Sequence, residues 1–166
     1  MKTISPKDLN NLQLQTLLQT AIAPRPIALA STIDKDGNVN LSPFSFFNMF
    51  STNPPVVIFF LFRRVRDNTT KHTLENVHEV AEVVIGIVNY NIVQQISLAS
   101  TEYEKGVNEF VKSGLTIKDA DLVKPKLIEE CPVNFECQVL EVKSLGDQGG
   151  AGNLVICEVK KIHIRE

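Results

Sequence analysis

The sequence lacks several features that mark common classes of protein. It contains no tryptophan and only two tyrosines, and its formal net charge is −2. This balance does not predict a basic surface of the kind that binds nucleic acid. The longest apolar run, at residues 54–62, is far too short to cross a bilayer. We therefore expect no nucleic-acid partner and no membrane span.

Cysteine is scarce as well. Cys131, Cys137 and Cys157 are odd in number, form no CxxC pair and lie in apolar runs. This pattern is typical of reduced thiols that serve as small core residues. The N-terminus also lacks the basic start and apolar stretch of a signal peptide. The sequence therefore predicts a cytoplasmic protein.

Motifs for nucleophilic and metal chemistry are missing. No G-x-S-x-G elbow is present. His72 and His78 lie six residues apart, so they do not share a helix face as two zinc ligands would. His163 stands between two isoleucines, which favours a structural strand residue over a catalyst. We predict no catalytic side chain and no metal site.

The hydrophobic pattern is mostly that of strands. With 166 residues, the chain is long enough to bury the core of one domain, which we place at residues 1–166. Asp36-Gly37 predicts a hairpin between the first two strands, and the glycine-rich residues 146–152 predict a longer hairpin loop. Runs typical of strands lie at residues 27–33, 38–42, 56–62, 81–88, 133–145 and 153–164.

Four stretches predict helices. The first begins with Ser5 as N-cap, Pro6 at the first helical position and Asp8 completing a capping-box pattern. The last is closed by Gly114. The four predicted helices cover residues 6–19, 70–80, 91–100 and 103–114.

The order of these elements predicts the fold class. Strands joined by a hairpin and later flanked by short helices do not alternate as βαβ units, so a doubly wound parallel sheet is not expected. We predict a mainly β protein with short helices, built as an antiparallel barrel. Periodicity alone leaves a sandwich and a barrel undecided.

Residues 41–55 are unusual in composition. They hold four of the nine phenylalanines among serines, threonine and asparagine, without any charge. A flat aromatic cofactor needs such an apolar wall together with hydrogen-bonding groups for its polar edge. The alternative interpretation is that some of these rings are ordinary core residues of a strand.

Two further stretches could complete such a site. Residues 63–77 leave a strand, cross a basic loop that contains Lys71 and Thr73, and enter a helix, where free N–H groups favour a phosphate. Arg25 lies between two prolines that hold the backbone rigid beside a planar or anionic ligand. Taken singly, each stretch is also compatible with a solvated loop, in which Thr73 only caps the helix.

The combination of motifs is more specific than any one of them. "APRPIALASTIDKDGNVNLSPFSFFN", "NPP" before a strand, "KHTLENV", "SLASTEYEKGVNEFVKSGLT", "VKPKLIEECPVNFECQV" and "GNLVICEVKKIHI" occur in this order over residues 21–164. Together they resemble the flavin reductase-like, FMN-binding split-barrel family that includes flavoredoxin.

The resemblance implies an antiparallel split β-barrel that binds flavin mononucleotide (FMN) noncovalently, as a homodimer with the cofactor near the interface. It also implies electron transfer from NAD(P)H or a partner protein to free flavin, a monooxygenase or another redox acceptor. We therefore expect an FMN-dependent oxidoreductase. The alternatives are an FMN-binding electron carrier or storage protein that does not oxidise NAD(P)H, and an interaction module without a cofactor.

The resemblance also implies which residues hold the cofactor. They belong to the "RPI" element near the ring, the hydroxyl pair of the first strand, the "SFFN" stretch and the "KHT" stretch. The implied FMN-binding residues are Arg25, Ser31, Thr32, Ser45, Phe46, Phe47, Asn48, Lys71 and Thr73.

Two departures from the family pattern bear on these expectations. His72 stands where the family commonly has Asp between its Lys and Thr, which changes the charge or the helix capping of the phosphate loop. Family chains also usually continue well past the strand at residues 153–164, whereas this one stops at Glu166. We therefore expect any C-terminal contribution to the dimer or to substrate access to be missing.

Overall fold

The computed structural model describes residue 1 and residues 3–166 as a mainly β structure with short helices. Seven strands form one antiparallel sheet in the order β2-β1-β5-β8-β9-β4-β3, and β6 and β7 form a small hairpin. The strands are β1 (Ala28–Ile33), β2 (Val39–Phe44), β3 (Phe47–Thr52), β4 (Pro55–Phe62), β5 (Glu82–Ile87), β6 (Ile117–Lys118), β7 (Leu127–Ile128), β8 (Val133–Ser144) and β9 (Gly152–Ile164). The helices are α1 (Asn11–Ala21), α2 (His72–Glu79), α3 (Val93–Ala99) and α4 (Glu109–Ser113).

A short link between two distant strands decides how the sheet curves. β2 and β3 are the outermost strands of the seven-stranded sheet, yet only Ser45 and Phe46 separate them along the chain. In a flat sheet of this size the outermost strands would lie about 29 Å apart, whereas the link spans about 11 Å at most. The sheet must therefore curl into a barrel, which resolves the choice between barrel and sandwich.

The barrel has a core on the inside and a second apolar layer outside. α2 packs Leu74 and Val77 into the inner core. Helices α3 and α4 cover the outer face, where Phe110 and Ile96 contact the second layer. Because β1 lies between the two layers, all six of its residues are buried. Among the described residues, no helix is long and apolar enough to cross a membrane.

The first hairpin forms as predicted. Asp34 Oδ1 accepts hydrogen bonds from the amides of Asp36 (3.0 Å) and Asn38 (2.8 Å). Gly37 has a φ of +90°, a backbone conformation that favours glycine. β1 and β2 then pair in antiparallel register from Ile33↔Val39 to Ala28↔Phe44. All six predicted strands are present, and residues 145–151 join β8 to β9 as the predicted hairpin loop, shifted by one residue.

The predicted start of the first helix is wrong. Residues 6–8 form only a single 3-10 turn, and Ser5 makes no capping hydrogen bond. The helix begins at Asn11 because Asn10 accepts from the Gln13 amide at 2.9 Å while the Gln13 side chain accepts from the Asn10 amide at 3.1 Å. This reciprocal capping box is stronger than the proline signal that precedes it.

Other boundaries also differ from the predictions. The helix predicted at residues 103–114 is limited to α4, which Asn108 caps and which Gly114 closes in the left-handed conformation. β3 is an additional strand, at residues for which the sequence analysis predicts none, and it pairs with β4. One face of β4 is buried and the other is half-buried.

The three cysteines are free and buried, as the sequence predicts. Burial raises the pKa of the Cys131 and Cys137 thiols to about 12. Cys131 also lies beside Gly86, where a Cβ atom would come within 2.6 Å of its sulfur. These thiols are therefore packing residues of low reactivity.

Candidate functional site

A cleft of about 810 Å³ lies against the half-buried face of β4. Three sides enclose it: α1, the link between β2 and β3, and the glycine-rich loop before β9. The apolar side chains that line it are Leu14, Leu18, Ile22, Phe46, Phe47, Phe50, Ile58, Phe60, Phe62, Val65 and Leu154. Its size and apolar lining are typical of sites for small organic molecules.

Three phenylalanines form the aromatic wall of this cleft. The ring centroids of Phe60 and Phe62 lie 4.7 Å apart, and that of Phe46 lies 5.8 Å and 5.6 Å from them. All three pairs meet edge to face, which is a favoured geometry for aromatic side chains. Gly152 makes room for the wall, because a Cβ atom there would lie 1.8 Å from the Phe60 ring. The aromatic wall therefore depends on the link between β2 and β3, which carries Phe46, and on β9, which carries Gly152.

The link between β2 and β3 brings hydrogen-bond donors next to this wall. Ser45 and Phe46 lie beyond the ends of both strand ladders. Within the described residues, neither of their backbone amides donates a hydrogen bond. Both residues are half-buried. A half-buried amide without a hydrogen-bond partner is stabilised when a ligand supplies an acceptor.

Arg25 connects the end of α1 to the same link. Its Nη1 donates to the carbonyl oxygens of Gln19 at 2.5 Å and of Ile22, at the C-terminal end of the helix, where a cation is favourable. Its Nε donates to Ser45 Oγ at 3.4 Å, and the guanidinium carbon lies 5.1 Å from the Phe46 ring centroid. Arg25 thus positions Ser45 and Phe46 and also lines the cleft.

A second, smaller pocket of about 260 Å³ has a polar lining. It contains the cations Lys71 and Arg64, the carboxylates Glu102 and Glu109, and several neutral polar groups. The remaining lining residues are Asn40, Ser42, His72, Ser100, Thr101 and Tyr103. The mixture of cations, hydroxyls and amides is suited to binding an oxyanion.

Lys71 is the least compensated charge in this pocket. It is half-buried and, among the described residues, forms no ion pair, while its ammonium lies 5.1 Å from the Phe44 ring centroid. Burial lowers the pKa of Lys71 below its ordinary value, repulsion from Arg64 lowers it further, and Glu102 opposes both effects. An anion bound beside Lys71 would supply the charge that the protein leaves unmatched.

Three of the residues implied as cofactor ligands lie inside the protein instead of in either pocket. Ser31, Thr32 and Thr73 are fully buried. Thr32 Oγ1 accepts from the side-chain amides of Asn76 at 3.1 Å and Asn40 at 3.4 Å. The same amide of Asn40 also donates to Thr73 Oγ1 at 3.0 Å. Ligand contact by these hydroxyls stays a prediction, and the structure assigns them a buried network instead.

Ser31 has a structural partner of its own, since its Oγ accepts from the Lys126 amide at 3.2 Å. The predicted residues therefore divide into three groups. Arg25 and residues 45–48 line the cleft, Lys71 lines the polar pocket, and the three hydroxyl residues form hydrogen bonds inside the protein. The sequence analysis does not identify Arg64 as a residue of the polar pocket. It also does not identify the leucines of α1 as residues of the cleft, because the sequence does not show which part of the fold α1 lies against.

A third polar cluster explains His163. Its Nε2 lies 2.6 Å from Glu136 Oε1, and the fully buried Glu136 carboxylate also accepts the amides of Asp121, Leu122 and Val123. Burial works to raise the pKa of Glu136, but these hydrogen bonds outweigh it and hold the pKa below its ordinary value. Every oxygen of Glu136 is engaged, so the cluster ties residues 121–123 to β8 and β9.

Comparisons with known proteins find relatives of the chain in sequence and in structure. A family model described as "Flavin reductase like domain" matches residues 20–166. An uncharacterized protein of Aquifex aeolicus is 38% identical over 133 residues, which are 80% of this chain and 67% of that protein.

Solved structures extend the comparison. Nitrilotriacetate monooxygenase component B from Bacillus cereus has a TM-score of 0.94 at 26% identity, covering 100% of this chain and 82% of that one. Flavoredoxin of Desulfovibrio vulgaris (Miyazaki F) has a TM-score of 0.72 at 18% identity, covering 87% of this chain and 72% of that one. The similarity to flavoredoxin, at 18% identity, shows a shared fold and no more.

The buried hydroxyl network generates a prediction about stability. We predict that Thr32→Val lowers the free energy of unfolding by about 1–3 kcal/mol, because the buried amide of Asn76 loses its acceptor. Urea denaturation measures the change. Thr52→Val, at an exposed position of β3, serves as control and should change the stability by less than about 0.5 kcal/mol. Equal values for the two variants would contradict a structural role for Thr32.

Proposed function

Because the chain belongs to the flavin reductase-like family, we propose that it is an FMN-dependent oxidoreductase that reduces free flavin or a downstream acceptor. The family match and the split-barrel fold support a flavin-related oxidoreductase. FMN as cofactor, NAD(P)H as donor and the nature of the acceptor are proposals. A bound flavin would supply a ring that accepts electrons and passes them on.

One observation carries the proposal: two amides that donate no hydrogen bond among the described residues lie directly beside the aromatic wall. A flavin ring is flat and apolar on its faces and has carbonyl and nitrogen acceptors along one edge, so it needs both. Phe46, Phe60 and Phe62 would contact the ring, and the amides of Ser45 and Phe46 would donate to its polar edge. Donors fixed in advance also stabilise negative charge that develops on a ligand.

The phosphate of FMN would bind in the polar pocket. Lys71 and Arg64 would pair with it, and the hydroxyls of Ser100 and Thr101 are near enough to the pocket to donate. The two depressions are neighbours along the chain, since Lys71 lies over Phe44 and the next residue, Ser45, lines the cleft. We therefore propose that a single ligand, with a ring at one end and a phosphate at the other, occupies both depressions.

Thr32 and Thr73 would act by orienting Asn40, which lines the polar pocket, and Ser31 by holding residue 126.

His72 also lines the polar pocket, although the family commonly has Asp there. With His72 in that place, the pocket carries one negative charge fewer, which favours a phosphate. The chain's own contribution to the reaction is then binding and alignment, which require no acid or base at the ring.

A homodimer is part of the proposal. α1 has no buried residue, although it carries several leucines, and Met49 and Phe50 of β3 are more than half exposed. An apolar surface of this kind beside a cleft is typical of a protein interface. A second copy packed on α1 and β3 would bury these apolar side chains beside the cleft. We also propose a cytoplasmic location, which the reduced buried thiols support.

Titration with FMN and riboflavin tests the proposed site. We predict that the wild-type protein binds FMN more tightly than riboflavin, and that Lys71→Ala weakens FMN binding by about 1–3 kcal/mol through lost charge pairing. Quenching of flavin fluorescence gives the dissociation constants. Lys35→Ala, at an exposed turn position, removes the same charge and should leave FMN affinity unchanged. An unchanged affinity in Lys71→Ala would move the phosphate elsewhere.

The same titration has an expected pH dependence. Burial holds the pKa of Lys71 below 10.5, the ordinary value for lysine. As the pH rises, Lys71 should therefore lose its charge, and the protein its preference for FMN over riboflavin, at a lower pH than if Lys71 had the ordinary pKa. The preference is present below the lowered pKa of Lys71 and is lost as the pH rises through it. Lys71→Ala should lack this alkaline loss.

Reduced nicotinamides distinguish a reductase from an electron carrier. We predict that NADH or NADPH, mixed with the FMN-loaded protein in a stopped-flow instrument, rapidly bleaches the flavin absorbance. The open cleft leaves one ring face accessible for a second planar group. No bleaching by either donor, with FMN still bound, would contradict the reductase and favour a carrier that a partner protein reduces.

Sedimentation velocity tests the homodimer. We predict that Phe50→Ser weakens self-association, because Phe50 is 63% exposed in β3 at the edge of the cleft. Val111→Ser is the control, since Val111 is 75% exposed on α4 and does not line the cleft. A wild-type protein that sediments as a monomer at every concentration would rule out the dimer.

A further inference from the structure

An acidic side chain lies among the cations of the polar pocket. Glu102 Oε1 pairs with Arg64 Nε, and Glu102 Oε2 lies 3.6 Å from Arg66 Nη2. Glu102 lines the same pocket as Lys71 and is 52% exposed. Its carboxylate therefore lies where an oxyanion would contact the same cations.

The two arginines differ in how firmly they are held. Arg64 Nη1 also donates to Thr69 Oγ1 at 3.0 Å and to the Thr70 carbonyl oxygen, and its side chain is only 20% exposed. Arg64 would thus stay in place without Glu102. Arg66 is 72% exposed and has a second partner in Asp67.

Few contacts hold the Glu102 side chain in place. Among the described residues its carboxylate contacts only the two arginines, and no helix, strand or amide fixes it. Glu109, the other carboxylate of the pocket, is different: it is 5% exposed and accepts the Leu41 amide at 3.1 Å. Of the two carboxylates in the pocket, Glu102 combines exposure with direct contact to a pocket cation, and Glu109 does not.

We propose that Glu102 is a built-in competitor for the phosphate group of the ligand, and that it sets how strongly the pocket prefers phosphorylated over unphosphorylated flavins. A carboxylate and a phosphate bind a guanidinium through the same paired N–H donors, so they exclude each other at Arg64. To bind, a phosphate must displace Glu102 and then tolerate its charge nearby. The inference rests on the proposed function and extends it to the control of ligand affinity.

A purely structural role for Glu102 makes a different prediction. An exposed ion pair contributes little to stability, and its loss would affect all ligands equally. Competition, in contrast, acts only on ligands that carry the anion. The difference between FMN and riboflavin therefore isolates the competition from any general change in the protein.

The test compares Glu102→Gln with a matched control. The amide keeps the size of the side chain and removes its charge, and Glu104→Gln removes the same charge from an exposed residue two positions further on. Flavin fluorescence gives the dissociation constants of FMN and riboflavin for both variants and for the wild type. We expect Glu102→Gln to bind FMN about three- to tenfold more tightly, with riboflavin affinity unchanged, and we expect Glu104→Gln to match the wild type.

Each remaining outcome is decisive. If FMN binds the wild type but Glu102→Gln leaves its affinity unchanged or lowers it, the competition is disproved while the proposed function stands. An equal gain for riboflavin, or for Glu104→Gln, also disproves it. If FMN binds only to Glu102→Gln, the competition is supported in its strongest form. If FMN binds to neither protein, the proposed function fails and this inference fails with it.

Discussion

The structure depends on the two-residue link between β2 and β3. Because this link joins the opposite edges of a seven-stranded sheet, the sheet has to close on itself. The closure leaves Ser45 and Phe46 outside both ladders, so their amides have no hydrogen-bond acceptor among the residues that the structure describes. The same closure directs Phe46 against Phe60 and Phe62 and creates the cleft. The feature that shapes the barrel is therefore also the feature that creates the candidate site.

Charge is distributed unevenly around this link. The cleft has an apolar lining with a single arginine, whereas the neighbouring pocket holds two cations and two carboxylates. Lys71 forms no ion pair within the described part of the chain, while Arg64 already pairs with Glu102. The cations of this pocket attract an anion, whereas the carboxylate of Glu102 repels it. The affinity of the pocket for an anion therefore depends on Glu102. Buried hydrogen bonds to Thr32 and Thr73 hold Asn40, which lines this pocket.

Local patterns explain which parts of the fold could be predicted. The six strands and the Asp36-Gly37 hairpin depend on β-branched runs and turn residues, which act over a few neighbouring positions. The start of α1 was mistaken because Ser5 and Asn10 both fit capping patterns, and only their hydrogen bonds distinguish them. β3 was missed because its serines and aromatics do not alternate, and because its pairing with β4 is what makes it a strand.

By itself, the sequence determined the mainly β class, the buried thiols and the kinds of groups available to a ligand, since each depends on composition or on close neighbours. The tertiary structure decided which of those groups meet. Ser45 and Phe46 came to face the cleft, whereas Thr32 and Thr73, chosen by the same reasoning, turned inward to bond asparagine amides. The reason is physical: the position of a side chain relative to distant residues follows from the curvature of the whole sheet, which no short stretch of sequence contains.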